Sequence, residues 1–154
     1  MTQPAEEQFL FLHEDDNETP EQYSGFWDVL IVDDEPDICD LISDILSESG
    51  YSVNSAFSKD EAIKVMENSG TSLVITDIWM NNNTNAGLEL LTFSQKHDPL
   101  IPVIMMSGHG NIETAMKAAK NGAYDSFSKK IFFSIASSAS FKSKALILFI
   151  SVIS

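Results

Sequence analysis

A short apolar run that stops abruptly on acids constrains this chain most. Val29-Leu30-Ile31-Val32 is continuously apolar and rich in β-branched residues, and it gives way at once to Asp33-Asp34-Glu35-Pro36. A strand reads this way when helices cover both of its faces, because neither side then needs polar residues. The pattern returns twice. Residues 72–76 run into Asp77, and residues 102–106 break at Ser107-Gly108-His109-Gly110.

The stretches between these runs have the helical period. Ile38, Leu41, Ile42, Ile45 and Leu46 recur at three and four residues, Gly50 supplies the stop, and Cys39 is assigned to the outer side. Residues 51–57 read as a second strand. Ser58-Lys59-Asp60-Glu61 has the form of a capping box, with Ser at the N-cap and Glu three positions later. It opens a helix with Ala62, Val65 and Met66 inward. After the polar loop Asn81-Asn82-Asn83-Thr84-Asn85, a helix over 87–96 turns Leu88, Leu91 and Phe93 inward. A further helix over 111–121 closes at Gly122, and 123–127 form a short fifth strand. Strands alternating with helices specify an α/β domain with a parallel sheet, helices on both faces and right-handed crossovers.

A chain of 154 residues has room for one domain with short extensions. Residues 28–130 carry the pattern. Residues 1–27 form an acidic leader without Lys, expected to be solvated and disordered. Residues 131–154 form an apolar, atypical tail. The net charge of −14 argues against nucleic acid or an anionic membrane as a direct partner and is compatible with binding a cation. The single cysteine, Cys39, excludes an internal disulfide and fits a reducing cytosol. No signal-peptide pattern opens the chain. The apolar stretch 145–153 is far shorter than the roughly 20 residues needed to span a bilayer. These features point to a cytoplasmic protein.

In open parallel sheets, ligands bind beyond the carboxyl ends of the strands. Asp33 and Asp34 follow the first strand and Asp77 ends the third. Three clustered carboxylates repel one another, and a divalent cation removes that cost. Hard oxygen donors with water positions to spare suit Mg²⁺. Ser107 ends the fourth strand and Lys129 follows the fifth. A hydroxyl and an ammonium are what a phosphoryl group on a carboxylate would need. Each residue alone has a plain structural reading, as a polar strand end or a surface lysine; their joint placement carries the inference. His13, His97 and His109 lack metal-ligand spacing, and Gly108-His109-Gly110 is no dinucleotide fingerprint.

Taken together, Val29-Leu30-Ile31-Val32-Asp33-Asp34-Glu35, Val74-Ile75-Thr76-Asp77-Ile78-Trp79-Met80, Ile104-Met105-Met106-Ser107-Gly108 and Gly122-Ala123-Tyr124-Asp125 resemble receiver domains of bacterial two-component response regulators. The run from Ser107 to Ala115, with the long loop after Trp79, most resembles NtrX-type nitrogen regulators. The resemblance implies a flavodoxin-like (CheY-like) five-stranded parallel sheet. It implies that Asp77 accepts a phosphoryl group from a sensor histidine kinase. Mg²⁺ would be ligated by Asp34, Asp77 and the backbone carbonyl of Trp79, with Asp33 holding a metal water. Ser107 and Lys129 would contact the phosphate, and Ser107 would convert its presence into a rearrangement. Such a module is not an enzyme beyond its own phosphoryl transfer and dephosphorylation. A homodimer is compatible with the resemblance, and no nucleic-acid-binding output follows the receiver region.

The chain departs from the family pattern in three places. Asn81 stands where Pro is usual. Around Lys129, Ser126 takes the usual aromatic position, Phe127 comes one residue late and Lys130 replaces a Pro, so the sequence does not fix the direction of Lys129. After Lys130 no clean helical stripe marks the usual last helix, which reads as degenerate. The rival reading is a truncated or frameshifted pseudo-receiver that only binds a partner or is inactive. An aspartyl phosphatase fits less well, because Asp33-Asp34-Glu35 is not Asp-x-Asp. A Phe-Ile-Glu-Lys coding run that loses one base yields Phe-Ser-Lys, as at Phe127-Ser128-Lys129, which motivates the hypothesis that the reading frame was lost near Ser126. Genomic sequencing should then find the remnant of a longer regulator downstream in another frame, and its absence would refute the frameshift.

Overall fold

A computed structural model describes residues 28–108 and 112–129. Five strands, β1 (Asp28–Val32), β2 (Ser52–Ala56), β3 (Leu73–Asp77), β4 (Val103–Ser107) and β5 (Asp125–Ser128), alternate with four helices. The helices are α1 (Pro36–Glu48), α2 (Lys59–Asn68), α3 (Ala86–His97) and α4 (Ile112–Lys120). The acidic leader, His109 to Asn111 and the apolar tail lie outside the described residues.

All strand pairs are parallel, in the order β2-β1-β3-β4-β5. The chain builds outward from β1 to β2, then crosses back over β1 to lay down β3. That reversal makes β1 and β3 neighbours, and loops leaving their carboxyl ends diverge to leave a crevice. The register is level: Val32 pairs with Thr76, so Asp33 and Asp77 emerge side by side. Ser107 pairs with Ser128, which brings Lys129 up beside them.

Strand alternation divides the core into two layers. Leu30, Val32, Val74, Val103 and Met105 face α2, α3 and α4, meeting Ala62, Met66, Leu90, Leu91 and Ala118. Val29, Ile31, Leu73, Ile75, Ile104 and Met106 face the other way, onto Ile38, Cys39, Ile42 and Leu46 of α1. Phe127 joins this second layer, while Ser126, one residue earlier, is paired with Met105 of the first.

One assignment of side-chain direction is corrected and another is extended. Cys39 is not on the outer side of its helix; it is 0% exposed and belongs to the α1 layer. It lies three residues before Ile42 and seven before Leu46, which places it on their stripe. In α3, Leu91 is buried and the partly buried Leu88 and Phe93 pack against the same core, as expected, and Leu90 and Ser94 join them, fully buried. The contact line is set by Gly87, which packs directly on the β3 backbone, so the residues three, four and seven positions later turn inward.

The helix ends show why these boundaries hold. In α1, the Tyr51 amide donates to the Leu46 carbonyl and the Gly50 amide to that of Ser47. That is a Schellman closure, with Gly50 just past the cap at φ 91°. Gly122 repeats it after α4, at φ 90°. At the start of α2, the Ser58 hydroxyl accepts from the Glu61 amide at 3.2 Å. The Glu61 carboxylate reaches one residue further back than in a standard capping box, to the Phe57 amide at 2.8 Å.

Candidate functional site

The row of strand ends forms the floor of a cavity of about 470 Å³, lined by residues that include Asp34, Asp77, Trp79, Ser107, Thr114 and Lys129. Two of the carboxylates are buried. Asp33 is 0% exposed and Asp77 5%, while Asp34 and Glu35 lie exposed at the rim. Burial penalises charge, so each buried carboxylate needs a compensating partner.

Lys129 is that partner. Its Nζ lies 2.8 Å from Asp77 Oδ2, to which it donates a hydrogen bond. The same ammonium lies 2.6 Å from Asp33 Oδ2 and 3.6 Å from Glu35 Oε1. Its side chain reaches the site past Gly108, where any Cβ would come to 3.8 Å from the Lys129 stem. Despite the slipped aromatic and the missing proline, the pairing of β4 with β5 carries Lys129 into the site.

The charges do not balance. One ammonium faces two buried carboxylates, with Asp34 and Glu35 adding negative charge at the rim. Asp33 Oδ1 accepts from the Glu35 amide at 3.0 Å, and buried Oδ2 is left to the Lys129 ammonium, which it shares with Asp77. Burial, then the neighbouring Asp77, push Asp33 up to about 6, against the opposing effect of Lys129. Burial likewise raises Asp77, although Lys129 and the Trp79 and Ile78 amides favour its charged form. Burial works against the Lys129 charge, but Asp33 and Asp77 outweigh it and hold the ammonium above its usual range. Burial and the adjacent Asp33 push the Cys39 thiol up to about 11, which removes it from consideration as a nucleophile.

Two buried carboxylates that share one ammonium leave surplus negative charge, and the hard, all-oxygen donor set suits a divalent cation. Carboxylate oxygens of Asp33, Asp34 and Glu35 lie within 4.8 Å of one another. Asp77 is not in that set. Glu35, which the sequence reading passed over as part of the strand-end acid run, is thus nearer the other two acids than expected. The β3 end is fixed from below: the Gly87 amide donates to the Ile78 carbonyl at 3.0 Å, and a Cβ at Gly87 would collide with the Asp77 carbonyl. Trp79, 45% exposed, flanks the cavity, and Ser107 stands half-buried beside it.

Residues 29–134 match the response regulator receiver domain. The chain belongs to the response regulator receiver family. It is 47% identical over 102 residues to the nitrogen assimilation regulatory protein NtrX of Azorhizobium caulinodans, a match covering 66% of this chain and 22% of that protein. The crystallised receiver domain of NtrX from Brucella abortus is 46% identical, with a TM-score of 0.62 over 66% of this chain and 84% of that one. The Thermotoga maritima response regulator TrrA, solved with Mg²⁺ and BeF, is 28% identical, with a TM-score of 0.59 over 68% and 87% of the two chains. The chain is therefore a receiver of NtrX-like sequence that spans about a fifth of the length of its full NtrX relative. Among the described residues, no helix is long and apolar enough to cross a membrane.

The receiver's buried Asp33 has a consequence for stability. The folded carboxyl keeps its proton to about pH 6, whereas the ordinary value is 3.8. Between these limits the folded chain binds more protons than the unfolded one, so this group makes stability fall as pH rises. At ~1.4 kcal/mol per pH unit the loss is at most about 3 kcal/mol. In metal-free buffer, Asp33→Asn should raise the urea midpoint relative to wild type at pH 7, and the gain should vanish toward pH 4. A gain that is constant across that range would contradict this account.

Proposed function

We propose that the receiver takes a phosphoryl group from the phosphohistidine of a sensor histidine kinase onto Asp77, with Mg²⁺ bound beside it. A carboxylate oxygen of Asp77 attacks the phosphorus, the phosphorus–nitrogen bond breaks, and the imidazole leaves. Asp77 needs no general base because it reacts as the carboxylate. Positioning and charge neutralisation are most of what such a transfer demands.

The observation that carries this reading is the 2.8 Å contact of Lys129 Nζ with Asp77 Oδ2. It puts a cation at the carboxylate that would bear the phosphoryl group, which favours a competent site over the pseudo-receiver alternative. Asp34, Asp77 and the Trp79 carbonyl would hold Mg²⁺, with Asp33 orienting a metal water. Bound Mg²⁺ would neutralise charge on the transferring oxygens. Lys129 holds the Asp77 carboxylate in place and would pair with the phosphate once it is attached. The Ser107 hydroxyl would donate to a phosphate oxygen and report its presence to α4. The Mg²⁺ and BeF bound to TrrA lend support by analogy. A kinase donor also implies a cytoplasmic setting.

Incubation with Mg²⁺ and acetyl phosphate should add one phosphoryl mass to the intact protein, and Asp77→Asn should abolish the adduct. An adduct that persists in the Asp77→Asn protein would reassign the acceptor. A wild-type protein that takes up none would leave only the partner-binding reading.

A further inference from the structure

The loop after β3 is built around a feature that the usual Pro at position 81 could not provide. Asn81 and Asn82 both have left-handed backbones, at φ 52° and 62°. On either side, Met80 and Asn83 exchange backbone hydrogen bonds: the Asn83 amide to the Met80 carbonyl at 2.8 Å, and the Met80 amide to that of Asn83 at 3.1 Å. Two left-handed residues inside a reciprocally bonded pair make a type I′ turn, and Asn is among the few residues that tolerate both positions. Proline can enter neither, because its ring fixes a negative φ.

The turn aims one polar group at the acidic cluster. The Asn81 amide donates to Asp34 Oδ2 at 3.0 Å, across 47 positions of sequence. The Asn81 side chain ties the turn to the β2–α2 connection, donating to the Phe57 carbonyl at 3.2 Å. Asn83 braces the other flank, accepting from the Asn85 amide at 2.9 Å and donating to Glu89 of α3 at 3.3 Å. Asp34 is exposed, and an exposed carboxylate otherwise samples several rotamers. Here one of its oxygens is fixed by a backbone amide that is itself anchored from two directions.

We propose that Asn81 is a positioning residue for the cation site: its left-handed amide holds one oxygen of Asp34 so that the other is presented to Mg²⁺. The inference rests on the Mg²⁺-dependent reading above and deepens it. Groups that orient metal ligands are worth about 10- to 100-fold in affinity when removed. Proline at position 81 removes both the donor and the left-handed geometry. Glycine preserves both and deletes only the side chain.

Mg²⁺ titration followed by Trp79 fluorescence should therefore give at least tenfold weaker binding for Asn81→Pro and near wild-type binding for Asn81→Gly, by the same estimate. A second measurement avoids any effect of proline on folding. In wild-type protein without metal, the Asn81 amide proton should resonate downfield, as expected for a donor to a carboxylate, and Asp34→Ala should move it upfield. Equal Mg²⁺ affinity in wild type and a folded Asn81→Pro protein would overturn the inference while leaving the Mg²⁺ reading intact. So would an Asn81 resonance indifferent to Asp34→Ala. A wild-type protein that binds no Mg²⁺ would remove both.

Discussion

The ammonium of Lys129 between Asp33 and Asp77 is the interaction on which the site depends. Two carboxylates buried at adjacent strand ends repel each other and lose their hydration. One lysine, itself only 7% exposed, compensates them by lying within 2.8 Å of both. Compensation is incomplete, because two negative charges face one positive charge. Without the lysine, burial would raise Asp77 further, because Lys129 is the main group that favours its charged form.

Topology produces this arrangement at little conformational cost. The reversal of strand order puts β1 beside β3, and their level register delivers Asp33 and Asp77 to the same height. Ser107 and Lys129 arrive from β4 and β5 through a second level register. None of the four depends on a long flexible loop for its placement. The loop that does follow Asp77 is stiffened by the left-handed turn at Asn81 and Asn82, and the backbone of Asp77 is pinned by Gly87. Rigid strand ends with a braced rim suit a reaction whose main requirement is positioning.

Much of this was legible in the sequence, for identifiable reasons. Buried parallel strands must be apolar on both faces, so Val29–Val32 and its counterparts announced the sheet, and the acids at their ends announced the site. Gly50 and Gly122 marked helix ends because only a residue tolerant of positive φ closes them so. What was not legible depended on tertiary contact. The aim of Lys129 follows from which strand β5 pairs with and in what register, and Ser126, Phe127 and Lys130 gave no local hint of it. Leu90 and Ser94 were missed on the inward face of α3, whose line is set by Gly87, a residue without a side chain. Cys39 was misplaced although its spacing from Ile42 and Leu46 already held the answer. The proximity of Glu35 to the cluster and the amide donated by Asn81 arise from backbone turns; three consecutive Asn residues in a loop were the only trace of the latter.

The central claim is that a divalent cation joins Asp77 to the acids after β1, taking over part of the neutralisation that Lys129 alone supplies. Carboxyl ¹³C shifts of the aspartates and glutamates, followed through a Mg²⁺ titration, test it directly. Asp33, Asp34 and Asp77 should shift together along one saturating curve, with the Lys129 ammonium moving in step. Shifts confined to the exposed Asp34 and Glu35, with Asp77 and Lys129 unchanged, would contradict it.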